Sequence, residues 1–233
     1  MYITLCILFH VVYNRLRKYK GILMKVIQQS YEILTDLSDP IKILKDIERA
    51  GRVCYKSENN ITDDSCIKFC KMLCERGHEA MIEHSQLSVK FIVNRAIANE
   101  IVRHRLFSFA QESTRYINYS KDKFGNEIKV IEQEDLLPSN STQYQLWYNS
   151  CKNAEDTYMS LLYENVKPEI ARDVLPLSTA TEIVVTGNIR EWRHFFSLRS
   201  SRKNTAAHPQ MRSLCDSLLV DLKSKIPVLF DDI

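Results

Sequence analysis

The sequence predicts an α+β fold of mixed helices and a small sheet, in one domain over residues 24–233. Three observations predict it. Apolar residues recur at helical spacing in most segments. Strand-like alternation is confined to a few short stretches between those segments. Neither an internal repeat nor a Gly/Pro/Ser-rich linker divides the 233 residues. Apolar residues make up 45% of the chain and charged ones 26%, which suits a packed core and argues against disorder. With five Gly and six Pro, collagen-like and low-complexity chains are excluded. A net charge of +3 is too small for a protein that coats nucleic acid. Seven cysteines at irregular spacing fit a reducing cytoplasm better than a disulfide framework.

The elements follow in order. Ile3–Tyr13 is an apolar run interrupted by His10 and followed by Arg15, Arg17, Lys18 and Lys20. It is shorter than the ~20 residues a membrane span needs. Its charges follow the apolar run, whereas a signal peptide carries them before it. Residues 1–23 are therefore read as an extension of unknown role, with no membrane segment. Met24 opens a strand-like start and is a candidate initiator. Asp39-Pro40 marks a helix start, Ile43, Leu44 and Ile47 its apolar stripe, and Gly51 its end. A second helix is expected over Thr62–Arg76, where Cys66, Cys70 and Cys74 fall within the apolar stripe. Gln86–Val93 alternates as a half-buried strand, and Asn94 can cap a helix running into Arg103. Pro138–Asn165 reads as a long helix. Thr179–Thr186 reads as a strand broken by Gly187. Asn188 and Glu191 form a capping-box pattern for a helix to Arg199, and a last helix covers His208–Ile226.

The densest chemical signal is the run from Arg103-His104-Arg105 through Gln111, Glu112, Ser113 and Thr114 to Arg115-Tyr116. Like charges this close repel one another, and a bound anion relieves the repulsion. The planar guanidinium fork suits phosphate oxygens. A solvated basic helix end that complements the helix dipole accounts for the same residues, and the physics leaves both readings open. A second basic group is Arg172, Arg190, Arg193, His194 and Arg199. Arg190 and His194 share a helix face, while Arg193 and Arg202 read as solvated. His78 and His84 invite a zinc reading. They lie six apart, about 240° around an α-helix, which does not match the spacing of a zinc-binding pair. No metal site and no Gly-rich phosphate loop is expected.

The run Arg103-His104-Arg105, seven residues, Ser113 and then Thr114-Arg115-Tyr116 resembles the signature of the flavin-dependent thymidylate synthases. Further blocks resemble the same family: Arg52–Ser57, Gly77-His78-Glu79 with Glu83-His84, Ala171–Pro176, Asn188–Arg190, Phe195–Arg199 and His208–Arg212. The resemblance begins near Met24. It implies that family's fold, a homotetramer with active sites shared between subunits, and a flavoprotein methyltransferase that makes dTMP from dUMP. FAD would be the cofactor, with NADPH and methylenetetrahydrofolate as co-substrates. By position, Ala80, Arg103, His104, Arg105, Gln111, Asn188, Ile189, Arg190 and His194 would contact FAD. Ala80 stands where a hydroxyl residue is often found. Glu100, Ile101, Val102, Arg103, Gln111, Glu112, Ser113, Thr114, Arg115, Arg172 and Arg199 would surround dUMP, with Arg199 as the catalytic residue.

Two rivals are weighed against this. A cysteine-dependent thymidylate synthase needs its nucleophile in a Pro-Cys-His context, and no cysteine here has Pro before it or His after it. A nucleotide- or nucleic-acid-binding module without catalysis would use the same arginines, with steep salt dependence and no flavin. No nucleic-acid partner is expected. Deleting residues 1–23 is expected to leave dUMP methylation intact. A truncated protein that is soluble and tetrameric yet inactive would assign the extension to the site.

Overall fold

The structure, a computed structural model, describes residues 24–133, 137–200 and 206–233. The extension 1–23 and Arg202 lie outside the described residues. The rest form two compact units: 30–92, 97–110 and 182–233 make the larger, and 24–29, 93–96 and 111–181 the smaller. The mixture of helices and small sheets is the expected α+β class.

The larger unit is built round a four-stranded sheet of β2 (Ser30–Ile33), β3 (Gln86–Asn94), β6 (Ala180–Asn188) and β4 (Ser108–Gln111), in the order β2-β3-β6-β4. β2 pairs antiparallel with β3, Tyr31 opposite Phe91. The alternation read in β3 holds: Leu87, Val89, Phe91 and Val93 are all buried. Helix α1 (Pro40–Val53) has Pro in its first turn, as Asp39-Pro40 predicts. Gly51 does not end it. Gly51 lies inside the helix, and a Cβ there would fall 2.5 Å from the ring of Phe69 on α2 (Ser65–Glu75). The glycine lets the two helices approach closely. The end of α2 does use glycine, since Gly77 just past it has φ +66°. Cys66 and Cys70 are buried on α2, and burial raises both thiol pKa values, as expected of small core hydrophobes.

Residues Glu79–His84 form a 3-10 helix, not an α-helix. Only His84 lies in it, since His78 caps its start, so neither an α-helical nor a 3-10 angle relates the two histidines. Both side chains are exposed, and no group of three potential ligands gathers among the described residues. Helix α3 (Arg95–Ile101) stops two residues before Arg103. Strand β6 runs through Gly187 instead of breaking there. A Cβ on Gly187 would fall 2.0 Å from Phe107, so the missing side chain is the space that ring fills. Helices α6 (Ile189–Arg199), α7 (Pro209–Lys225) and α8 (Pro227–Phe230) complete this unit.

In the smaller unit β1 (Lys25–Ile27) pairs parallel with β5 (Lys129–Ile131). Its core gathers Met24, Ile128, Val130, Tyr119, Cys151, Tyr158, Met159 and Ala171. The long helix α4 spans Thr142–Tyr163, four residues later at its start than the apolar pattern suggests. Ser141 sets that start by accepting a hydrogen bond from the Tyr144 N–H. The short helix α5 (Pro168–Ala171) follows.

Gly187→Ala is expected to lower stability by roughly 1–3 kcal/mol, the cost of overpacking a filled core. Chemical denaturation measures it, and adding Phe107→Leu should recover part of the loss. An unchanged midpoint for the single variant would show that the strand makes room.

Candidate active site

In the larger unit the site is organised by α6. Asn188 caps it, its Oδ1 accepting from the Glu191 N–H at 2.8 Å. One face is aromatic. Trp192, Phe195 and Phe196 are buried, and the Trp192 Nε1–H donates to the Leu87 carbonyl at 3.1 Å. The Phe107 ring lies 4.7 Å from that of Trp192. The other side carries cations. Arg190 is half-exposed and donates to Glu83 at 2.6 Å; Glu79 is 3.7 Å away. His194 is exposed.

Arg193 departs from expectation. It is not solvated but only 6% exposed. It makes a two-pronged contact to Asp232 (2.7 and 2.6 Å) and donates to Glu79 at 2.9 Å and to the Leu229 carbonyl at 2.6 Å. Burial opposes its charge, but the Asp232 and Glu79 contacts outweigh that and hold its pKa above the ordinary value. Arg193 therefore works as a strut. A cleft of about 620 Å³ opens beside it, lined by Leu106, Asn188, Arg190, His194 and Ser197, with Glu79, Glu83 and Asp232 on its wall.

The Arg103-His104-Arg105 triplet lies on the turn after α3. Arg103 and Arg105 are exposed, and among the described residues neither has a carboxylate partner. His104 between them is buried, its ring edge-on to Phe195 at 4.8 Å. Its Nε2 accepts from Arg199 Nε–H at 3.1 Å. Arg199 Nη1 donates to Glu100 at 2.9 Å. Burial, then the charges of Arg199 and His194, lower the His104 pKa to about 4. The 3.9 Å approach of Nδ1 to Glu191 is therefore not an ion pair at neutral pH. Ile101 is buried, and Val102 is partly exposed. Ile189 is fully buried and its N–H is bonded to Ser85. Ala80 is exposed on the 3-10 helix.

The smaller unit holds the rest. The Ser113 carbonyl accepts from the N–H groups of Tyr116 and Ile117, each at 3.1 Å, which folds 113–117 into a tight turn. Arg115 is exposed there, its guanidinium 5.5 Å from the Tyr116 ring. Arg172 Nη1 donates to the Thr114 hydroxyl at 3.4 Å. Glu112 accepts from the buried Tyr119 hydroxyl at 2.7 Å. Burial and then Glu112 raise the Tyr119 pKa, so Tyr119 stays a hydrogen-bond donor. Gln111 donates to Thr181 at 3.4 Å. One residue here escaped the sequence reading. Arg95 donates from Nη2 to the Glu112 carbonyl at 3.4 Å, while its buried Nε lacks a partner among the described residues. The only sequence signal was a cation at a strand-to-helix junction, which a solvated surface also explains.

Residues 37–228 match the family model described as thymidylate synthase complementing protein. The chain belongs to this family, that of the flavin-dependent thymidylate synthases. It is 33% identical to the flavin-dependent thymidylate synthase of Corynebacterium aurimucosum over 197 residues, covering 80% of this chain and 78% of that protein. It is 28% identical to the enzyme of that name from Geobacter sulfurreducens over 190 residues, covering 78% of each. Among solved structures, a UMP/dUMP methylase, PolB from Streptomyces cacaoi bound with 5-Br dUMP, superposes with a TM-score of 0.69. It is 24% identical, with 89% of this chain and 96% of that chain covered, a likeness of fold. The family is one of enzymes. Among the described residues, no helix of this member is long and apolar enough to cross a membrane.

The neutral His104 has a consequence for stability. The folded protein refuses this proton down to about pH 4, whereas the unfolded chain accepts it near 6.5. Between those values the unfolded state binds more protons, so stability falls as pH falls from 6.5 to 4, by at most roughly 3 kcal/mol. Denaturant midpoints across that window measure the slope. The His104→Gln variant should lose this part of it; an identical slope would exclude His104 as its source.

Proposed function

We propose that this protein converts dUMP to dTMP, with methylenetetrahydrofolate as carbon donor and NADPH-reduced FAD as hydride source. One observation carries the reading. Among the described residues no carboxylate pairs with the guanidinium groups of Arg103 and Arg105 in the larger unit or of Arg115 in the smaller. The Nε of Arg95 adds an unsatisfied donor. Exposed guanidinium groups with no carboxylate are free to take an anion, and their planar fork suits phosphate oxygens. In a flavin-dependent thymidylate synthase those anions are the phosphates of FAD and of the nucleotide.

The residues of the larger unit fit FAD. Arg103 and Arg105 would hold phosphate by charge. Asn188 and His194 would add polar contacts, and Leu106 an apolar one, at the cleft they line. Arg190 would hold phosphate on giving up Glu83. Ile189 leaves such contacts to its neighbours, because its side chain is buried and its N–H is bonded. Ala80 offers no hydroxyl. When bound, the flavin supplies the hydride. In the smaller unit Ser113, Thr114, Arg115 and Arg172 would hold the nucleotide phosphate, with Arg95 added to the set. Gln111 and Glu112 would border the nucleotide. Methylation at C5 of uracil needs electron density at that carbon. Losing the N3 proton, or polarising the adjacent carbonyl, supplies it. Arg199 would stabilise the resulting anion, since an opposite charge within ~4–6 Å favours the ionised form. Ile101 and Val102 lead the chain from Glu100 to Arg103 at this site.

Residues 24–233 are the proposed catalytic domain, with 1–23 as an appendage. The proposed assembly is a cytoplasmic homotetramer whose sites are shared between subunits. All six described cysteines are free, which fits a reducing compartment.

The purified protein should carry FAD or take it up, show a flavin spectrum, and form dTMP from dUMP with the two co-substrates. Arg199→Ala should retain FAD and lose about 100-fold or more in turnover at saturating dUMP. A colourless protein that neither binds FAD nor makes dTMP, and that binds oligonucleotides with steep salt dependence, would replace this reading with that of a nucleic-acid-binding module. Full turnover by Arg199→Ala at saturating dUMP would make Arg199 a binding residue only.

A further inference from the structure

We infer that His104 is a positioning residue for Arg199. Its bare Nε2 takes the Nε–H, Glu100 takes an Nη1–H, and the Nη2 edge of the guanidinium is left for the substrate. This rests on the proposed reading that Arg199 activates dUMP.

The geometry requires one tautomer. A guanidinium cannot accept a hydrogen bond, so at 3.1 Å from Arg199 Nε the His104 Nε2 must be unprotonated. The ring proton then sits on Nδ1, on the side of Glu191. Nothing about the ring is free to turn. His104 is 7% exposed, with Phe195 edge-on at 4.8 Å and Phe107 at 6.2 Å. The charged or titratable groups facing it are Arg199 and His194, which both oppose a second proton, and Glu191, itself buried. Burial and those two charges favour the neutral ring on which the contact depends.

The second brace is Glu100, 2.9 Å from Nη1. Two acceptors on different edges of a planar fork fix its plane and its rotation. One acceptor would leave it free to pivot. Among the described residues no other group takes a hydrogen from Arg199, so its Nη2 side is available. A guanidinium displaced by about 1 Å can lose on the order of 100-fold in rate while keeping its charge near the substrate. The middle residue of the triplet thus acts through its neighbour, between two arginines that face solvent.

Two amide variants isolate the position of the acceptor. His104→Gln can place an oxygen near the site of Nε2. His104→Asn is shorter and reaches only the Nδ1 site. Both bury one neutral amide. In the FAD-loaded enzyme, His104→Gln should keep turnover within about threefold of the starting protein, and His104→Asn should lose about tenfold or more at saturating dUMP. The dUMP affinity should change little in either, and turnover is expressed per bound FAD. Equal turnover in the two variants, whether high or low, overturns the proposal.

A measurement that needs no variant to fold is ¹⁵N NMR of the histidine rings in the FAD-loaded protein at neutral pH. His104 should be neutral with its proton on Nδ1. A proton on Nε2 overturns the proposal outright. Arg199→Ala, assayed alongside, separates the two levels. If it turns over normally, the reading of Arg199 fails first. If it is slow while His104→Asn is not, only the positioning role fails.

Discussion

The aromatic face of α6 is the constraint on which the larger unit depends. Trp192, Phe195 and Phe196 enter the core together, and Trp192 is pinned at its nitrogen by the Leu87 carbonyl on β3. Each fully buried side chain of this size contributes roughly 1.5–3 kcal/mol, so the rotation of the helix about its axis is fixed. Once that face is set, the 3.6-residue period dictates where the other positions point. Arg190 and His194 go to the cleft, and Arg199 reaches the His104 ring. Phe107 joins the aromatic layer through the space left by Gly187. The same packing that holds the sheet therefore aims the cations.

Within α6 one residue type has three fates, decided by carboxylates and burial. Arg193 is buried and fully engaged by Asp232 and Glu79. Removing both carboxylates would leave a charge out of water, a cost of several kcal/mol. Arg190 is half-exposed and loosely held by Glu83, so water screens the pair and exchange for another anion costs little. Arg199 lies between the two, partly buried, with Nε and Nη1 held and Nη2 open among the described residues. Glu79 reaches both Arg190 and Arg193, so the strut and the cleft share a carboxylate.

What was legible in the sequence was local. The Asn188 cap, the extent of α6, the alternation of β3 and the clustering of arginines around Ser113 all follow from spacing within a dozen residues. What was not legible depends on partners far along the chain. Gly51 and Gly187 read as breaks because glycine usually ends an element. Here each makes room for a ring, Phe69 or Phe107, that only the fold brings close. Arg193 read as solvated because its partner Asp232 lies 39 positions away. The late start of α4 was set by a serine cap that the apolar pattern overran. The arginine triplet was legible as a cluster, but not that its histidine would be buried and the arginines beside it exposed.

The larger unit is stitched from three separate stretches of chain, and its seams join early residues to late ones. The Tyr31 hydroxyl donates to the Ser217 carbonyl, 186 positions on. Among the described residues Arg193 pairs with Glu79 on one side and Asp232 on the other, 114 and 39 positions away. Non-local closure of this kind slows folding. On the ribosome it also imposes an order. β2 and α1 emerge with apolar faces that nothing yet covers, and of the two counter-charges of Arg193, Glu79 is made before it and Asp232 after it. Until Asp232 follows, Glu79 alone balances Arg193, so the strut behind α6 closes only after residues well past the helix are made.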